Sequence, residues 1–224
     1  IGDAAGLNCN NIHSIKLPNS ITQIDSRAFW NCTSLDSFII PNSVANIGEA
    51  AFYQCTNLSS VIISNKITNI PDDLFGWCSK LSKVNIPNEV TRIGRTAFVQ
   101  CKNLSTITLP SSLTRIENNA FEGSGLKTVT IPNSVNSLGY CIFANCKNLS
   151  SVTIGSGIKN IPDGTFTGCT SLAKITFVGT KEQWKSISLG NDWNGSVPAI
   201  QVICSDGTIK LNGDTNIAPP TSSE

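Results

Sequence analysis

The chain has 224 residues, with 16 basic and 15 acidic side chains, a net charge of +1 and only 14% charged residues, where an ordinary soluble domain carries about 25%. That balance excludes nucleic acid as a partner, which would call for a basic face. Hydrophobic residues make up 40%, yet no apolar run nears the roughly 20 residues that cross a bilayer, and no basic-then-apolar leader opens the chain.

The first nine residues, Ile1-Gly-Asp-Ala-Ala-Gly-Leu-Asn-Cys9, align with Ile47-Gly-Glu-Ala-Ala-Phe-Tyr-Gln-Cys55. Residues 1–11 are therefore expected to be the end of a repeat, within a piece of a longer protein. From Ile12 the pattern restarts at Leu35, Leu58, Leu81, Leu104, Leu126, Leu149 and in part Leu172, with a period of 23 residues and a fifth copy of 22. With the first apolar residue of each unit as zero, apolar side chains recur at positions 3, 5, 9, 12, 16, 17 and 20, and Phe29, Phe52, Phe75, Phe98, Phe121, Phe143 and Phe166 share position 17. Such fixed self-similarity marks a stack of units, since one unit cannot bury its apolar face alone.

Within each unit, positions 3 and 5 alternate with polar residues, as in Val61/Ile63 and Val84/Ile86, which predicts a short half-buried strand. Pro18, Pro41, Pro87, Pro110 and Pro132 end that strand, because proline cannot donate to a ladder. The asparagines after them (Asn19, Asn42, Asn88, Asn133), with Asn65 in the same column, are placed to form an amide ladder that satisfies turn backbone. A second extended piece follows at positions 9 to 12, and Ala-Phe-x-x-Cys predicts one helical or 3₁₀ turn. Coils about 4.8 Å apart give a curved rod.

These residues carry a resemblance. The unit I-P-N-S-V-x-x-I-G-x-x-A-F-x-x-C resembles the leucine-rich repeat of bacterial surface proteins of the BspA-like, or Treponema pallidum-type, family, over residues 12–177. The resemblance implies an α/β repeat solenoid, a right-handed leucine-rich-repeat superhelix of about 7–8 coils. Departures are few: Ser64 and Gly155 replace the proline, Leu74, Ile142 and Thr165 replace the alanine, and Ser124 replaces the fifth cysteine.

Beyond Phe177 the repeat dissolves, and residues 178–213 are expected to form a C-terminal cap. Thr180 with Gln183 predicts a capping box on a short helix, Asp206-Gly207 predicts the turn of a final hairpin, and Trp184 and Trp193 are expected in the cap's core. Residues 214–224, containing Pro219-Pro220, are expected to be a flexible tail or linker.

The chain offers little chemistry. Seven of its nine cysteines fall at position 20, one per coil, which is a packing column of mostly free thiols rather than the clustered spacing a metal needs. The single histidine, His13, has no nucleophile expected beside it, because the position-20 thiols point inward. No Walker, nucleophile-elbow or zinc-protease motif occurs. No catalytic residue, metal or cofactor is expected.

Three outward-facing groups are the candidates for partner binding. The first is the strand face at positions 2 and 4, mostly Ser and Thr with Lys16, Lys83, Asn85 and Lys174 among them, on which Ile39 and Ile62 are the apolar exceptions. The second is the aromatic set Trp30, Tyr53 and Trp77 just past the buried Phe. The third is Arg92, Arg95 and Arg115, with Arg92 and Arg115 equivalent in adjacent coils, where Glu89 or Glu117 could offset the charge. The resemblance implies a cell-surface or secreted, non-enzymatic adhesion module for protein partners such as extracellular-matrix fibronectin. A structural spacer and a glycan-binding module through the aromatics are the alternatives, and an uncapped first coil invites end-to-end self-association.

Overall fold

A computed structural model describes residues 1–199 and 201–211; the expected tail at 214–224 lies outside them. The strands in chain order are β1 (Gln23–Ile24), β2 (Ser37–Ile39), β3 (Asn46–Ile47), β4 (Ser60–Ile62), β5 (Asn69–Ile70), β6 (Lys83–Val84), β7 (Arg92–Ile93) and β8 (Arg115–Ile116). They continue with β9 (Thr128–Ile131), β10 (Ser137–Leu138), β11 (Ser151–Ile154), β12 (Asn160–Ile161) and β13 (Lys174–Phe177). The cap holds α1 (Lys181–Lys185), β14 (Ser188–Leu189), β15 (Gln201–Cys204) and β16 (Gly207–Lys210).

The chain is a solenoid of about eight turns, built as the 23-residue pattern demands. Positions 2 to 5 stack as parallel strands, β2-β4-β6 and then β9-β11-β13-β15, and positions 11 and 12 stack as a second set, β1-β3, β5-β7-β8-β10 and β12-β14. Register is residue for residue: Phe38 pairs with Val61, and Val61 with Val84. Between the two sets runs one continuous core. Its spine is the position-17 column, whose rings stack at 5.3–5.7 Å from Phe29 to Phe166. Phe38 adds a ring against Phe29 and Phe52, at 5.0 and 4.8 Å.

Helix is nearly absent, and the expected helical turn at Ala-Phe-x-x-Cys is instead a run of β-turns. Backbone N–H groups there alternate in destination. Ala28, Trp30 and Cys32 bond three residues back within their coil, whereas Arg27, Phe29 and Asn31 bond Glu49, Ala51 and Tyr53 of the next. A helix would point every N–H along its own axis and leave the coil above without partners. Arg27 and Asn31 accordingly have φ of 55° and 56°. The column thiols complete the arrangement: Cys55, Cys78, Cys101 and Cys169 each donate to the carbonyl of a position-17 Phe in the preceding coil, at 3.0–3.2 Å.

Both strand sets are interrupted, for reasons written in the side chains. In paired coils the N–H of position 13 donates to position 12 of the coil before, as from Gly48 to Ile24, Gly94 to Ile70 and Gly139 to Ile116, each 2.8 Å. Position 13 is proline at Pro71 and Pro162, which have no N–H, and there β3 fails to pair with β5 and β10 with β12. In the other set, Asn85 turns its carboxamide onto the N–H and carbonyl of Ile63, at 2.8 and 3.3 Å. Residues 106–109 beyond it join neither β6 nor β9.

The expected amide ladder is only fragmentary: Asn42 accepts from the Asn65 N–H and Asn133 from the Ser156 N–H, each at 3.0 Å. In the cap, Thr180 and Gln183 form the reciprocal capping box on α1. The hairpin loop is Ser205-Asp206, with Gly207 already in β16 at φ 133°, one residue earlier than expected. Trp193 closes the aromatic column edge-on to Phe166 at 6.2 Å and packs on Trp184 at 6.1 Å.

Candidate interaction surfaces

On the face of the first strand set, Ile39 of β2 and Ile62 of β4 are direct neighbours in register. Both point to solvent, 61% and 55% exposed. Their equivalents in the flanking coils are Lys16 and Asn85, so the two form an isolated aliphatic patch on a polar sheet. Strand alternation puts them there: Phe38, Ile40, Val61 and Ile63 fill the core, and positions between them face outward.

Arg92 and Arg115 lie on the second set, on β7 and β8, with Arg95 in the turn after β7, inside a chain of alternating charge. Arg92 reaches Asp72 at 2.6 Å and Glu117 at 2.9 Å, and Glu117 also takes Arg115 at 2.8 Å. Partial burial opposes the charge of Arg92, but the two carboxylates outweigh it and push its pKa up. Asp72 also accepts the Arg95 N–H at 3.0 Å, and the Arg95 guanidinium stands 3.8 Å from it. Glu117 therefore offsets the stacked arginines, as does Asp72, whose role the sequence spacing does not reveal; none of these ion pairs involves Glu89. Asp72→Ala should lower stability by about 1–2 kcal/mol, read as a lower urea midpoint that Asp72→Asn partly restores through the Arg95 bond.

The break at Pro71 opens a cleft of about 560 Å³ beside this network, bordered by Asn46, Glu49, Asn69, Asp72 and Arg92. The signal for it was a proline at position 13 in Ile70-Pro-Asp, a second proline column distinct from the one that ends the strands.

The aromatics occupy two columns. Trp30 and Tyr53, at position 18, pack ring on ring with centroids 4.5 Å apart. Tyr53 also lies over Gly76, where a Cβ would come within 2.7 Å of its ring; burial, then Asp73, pushes the Tyr53 pKa up. Trp77 belongs to position 19 and remains 44% exposed.

All nine cysteines are free thiols. Burial pushes Cys78 and Cys101 up from the ordinary thiol range. His13 is exposed while the Cys32 thiol is buried against the Gly6 carbonyl at 3.1 Å. Among the described residues no group of three or more His, Cys, Asp or Glu could hold a metal ion, and no helix is long and apolar enough to cross a membrane.

Stacked coils, one apolar column per repeat position and an exposed parallel strand face define a leucine-rich-repeat solenoid. More narrowly, the chain belongs to the BspA type leucine rich repeat region family, whose repeat is matched six times over residues 1–105 and 91–192. Among solved structures it is similar to a leucine rich cell surface protein from Faecalibacterium prausnitzii, with 29% identity, TM-score 0.62, and coverage of 84% of this chain and 59% of that one. It is also similar to the T. pallidum leucine rich repeat protein, with 30% identity, TM-score 0.53, and coverage of 76% and 67%. A Bacteroides ovatus leucine-rich repeat protein, 22% identical at TM-score 0.60 over 91% and 71% of the two chains, shares the fold. No curated protein matches the chain. The chain thus spans little more than half the length of the Faecalibacterium protein.

Proposed function

We propose that this chain is a non-catalytic binding module of a bacterial cell-surface or secreted protein, and that it holds a protein partner on the outer face of its first strand set. The observation that carries the reading is the Ile39/Ile62 pair. Two large aliphatic side chains sit in register on an open sheet with no fold-internal reason to be there, and covering them would supply the apolar centre of an interface. Ser37 and Ser60 beside them, with Lys16, Lys83 and Asn85 in the flanking coils, form the polar rim. Surface exposure, supported by the description of the Faecalibacterium relative, makes extracellular-matrix proteins the first partners to test.

Immobilised fibronectin and fibrinogen would be titrated with this chain and with Ile39→Ser/Ile62→Ser. Serine already occupies outward positions of both strands, at Ser37 and Ser60, and leaves the core untouched, so the double variant should fold as the parent does. Covering both side chains is worth about 1.5–3 kcal/mol, so its binding should fall at least tenfold. Saturable binding that survives the double change would remove the sheet face from this account, and no binding by the folded parent would favour the spacer reading.

A further inference from the structure

The fifth coil is one residue short, and the missing residue leaves a dent. Between position 20 and the next unit's leucine the neighbouring coils carry two residues, Lys102-Asn103 and Lys147-Asn148, whereas only Gly125 follows Ser124. The chain there is drawn tight onto the coil before. The Gly125 N–H donates to the Cys101 carbonyl at 3.1 Å, and a Cβ on Gly125 would collide with the Lys102 carbonyl oxygen. Glycine is therefore required, and no side chain fills the gap. What remains is a cavity of about 510 Å³ lined by Gln100, Lys102, Gly123, Gly125, Asn145 and Lys147 among others, within the range of about 300–1,000 Å³ typical of small-ligand sites.

Its lining selects the chemistry. Lys102 and Lys147 are both exposed and flank the dent from the coil before and the coil after, about 9–10 Å apart along the stack. The ion pairs among the described residues are all made by arginines, so neither ammonium has a carboxylate partner. Both belong to a stripe: residues 77–82, 100–105, 123–127 and 145–150 carry Lys80, Lys102, Lys127 and Lys147 and no Asp or Glu. Glu122, the acid nearest in sequence, does not line the dent and accepts from the Asn119 amide at 2.7 Å. An oxyanion between the two lysines would answer their unopposed charge. A peptide docks through free main-chain groups or apolar anchors. Here the backbone N–H groups of Lys102, Gly123, Ser124, Gly125, Asn145 and Lys147 are all spent inside the solenoid, and no apolar side chain lines the dent. What it offers besides charge is the carboxamides of Gln100, Asn145 and Asn148, which pair with hydroxyls. Four lysines on a chain of net charge +1 match a discrete anionic group, not a duplex with a charge every ~1.7 Å.

We infer that the dent at Gly123–Gly125 is a subsite for the sulfate or carboxylate group of an acidic saccharide, held between Lys102 and Lys147 and separate from the Ile39/Ile62 face.

The test is calorimetric titration of this chain with hexasaccharides of heparin, chondroitin sulfate and hyaluronan. Maltohexaose, hexaglutamate and hexathymidylate serve as neutral, peptide and nucleotide controls. At least one acidic hexasaccharide should bind saturably, with an affinity that falls as salt rises, and no control should match it. Lys102→Gln/Lys147→Gln should weaken binding about tenfold or more. Lys66→Gln/Lys159→Gln, which removes the same charge from exposed positions outside the stripe, should leave it unchanged. Gly123→Asn tests the shape without touching the charge. Asparagine holds the same column at Asn31 and Asn145 with φ of 56° and 60°, close to the 64° of Gly123, and its side chain enters by displacing the flexible end of Gln100. That variant should melt near the parent's temperature and bind clearly more weakly. No saturable binding of any acidic hexasaccharide, equal binding of any control, equal loss in both lysine pairs, or parental binding by Gly123→Asn overturns the inference. Because the Ile39→Ser/Ile62→Ser variant keeps this dent, failure here and failure of the sheet-face reading are read independently.

Discussion

Phe98→Ala should cost about 3–5 kcal/mol and change the shape of the unfolding curve as well as its midpoint. Phe98 is fully buried at the middle of the ring column, 5.6 Å from Phe75 and 5.3 Å from Phe121. Truncation removes both stacking contacts and leaves a cavity that neighbours pinned by their own coils cannot fill. The stability of a repeat array is the sum of its coils and the interfaces between them, so one damaged interface weakens the coupling between the coils before it and those after. The first strand set is already interrupted next to it, because residues 106–109 join neither β6 nor β9. Urea unfolding followed by circular dichroism should show a lower midpoint and a broadened or two-step transition, where the parent gives one. Phe98→Leu, which refills most of the volume, should lose about half as much. A single transition at the parent's midpoint for Phe98→Ala would mean that the column does not transmit stability between coils.

The solenoid itself was legible in the sequence because every coil repeats the same decision. Seven phenylalanines in one column and alternation at positions 3 and 5 specify a stack without reference to any tertiary detail. The turn at Ala-Phe-x-x-Cys is ambiguous in the sequence for a physical reason: Phe and Cys three apart satisfy both a helical turn and a β-turn series. What separates them is where alternate N–H groups go, a choice made by the neighbouring coil. Positive φ at position 19 left a trace in the Asn, Gln and Gly of that column, and Trp77 stands out only when the column is read down the stack. The ladder breaks were visible as Pro71 and Pro162, yet their meaning required knowing that position 13 is a donor.

The surfaces were legible by position and less so by partnership. Strand alternation suffices to turn Ile39 and Ile62 outward. Spacing alone marks the arginines as a stacked like-charge group, but Asp72 lies 20 residues before Arg92 and joins it only because the period brings position 14 of one coil against position 11 of the next. Tyr53 and Trp77 fall in neighbouring columns, and the glycine that lets Tyr53 lie flat is itself unremarkable in sequence. Each omission concerns contacts between coils, which a one-dimensional pattern records only where the partner sits at the same repeat position.

The cysteine column makes the fold sensitive to alkali, and the expected effect is large. A thiol ionises near pH 8.5 in an unfolded chain, while burial raises the value for Cys78 and Cys101 in the folded one. Below pH 8.5 both states keep the proton and stability is flat. Above it the unfolded chain releases protons that the folded chain retains, so the unfolded state is favoured by about 1.4 kcal/mol per thiol for each pH unit. Cys78 and Cys101 together remove roughly 2.7 kcal/mol per unit on that scale, against a total of about 5–15 kcal/mol for a typical domain. Cys32 shifts the same way, first through its interaction with Cys55 and then through burial, whereas the upward shift of Cys169 comes first from Cys146, which the same interaction moves down, so that pair largely cancels. Urea midpoints measured under reducing conditions should therefore be level from pH 7 to 8.5 and fall steeply before lysine and tyrosine begin to titrate near pH 10. Cys78→Ala/Cys101→Ala should start from a lower midpoint at pH 7 and decline less above pH 8.5. If the parent's midpoint stays level to pH 10, or the double variant falls just as steeply, the thiols are not what links this solenoid's stability to pH.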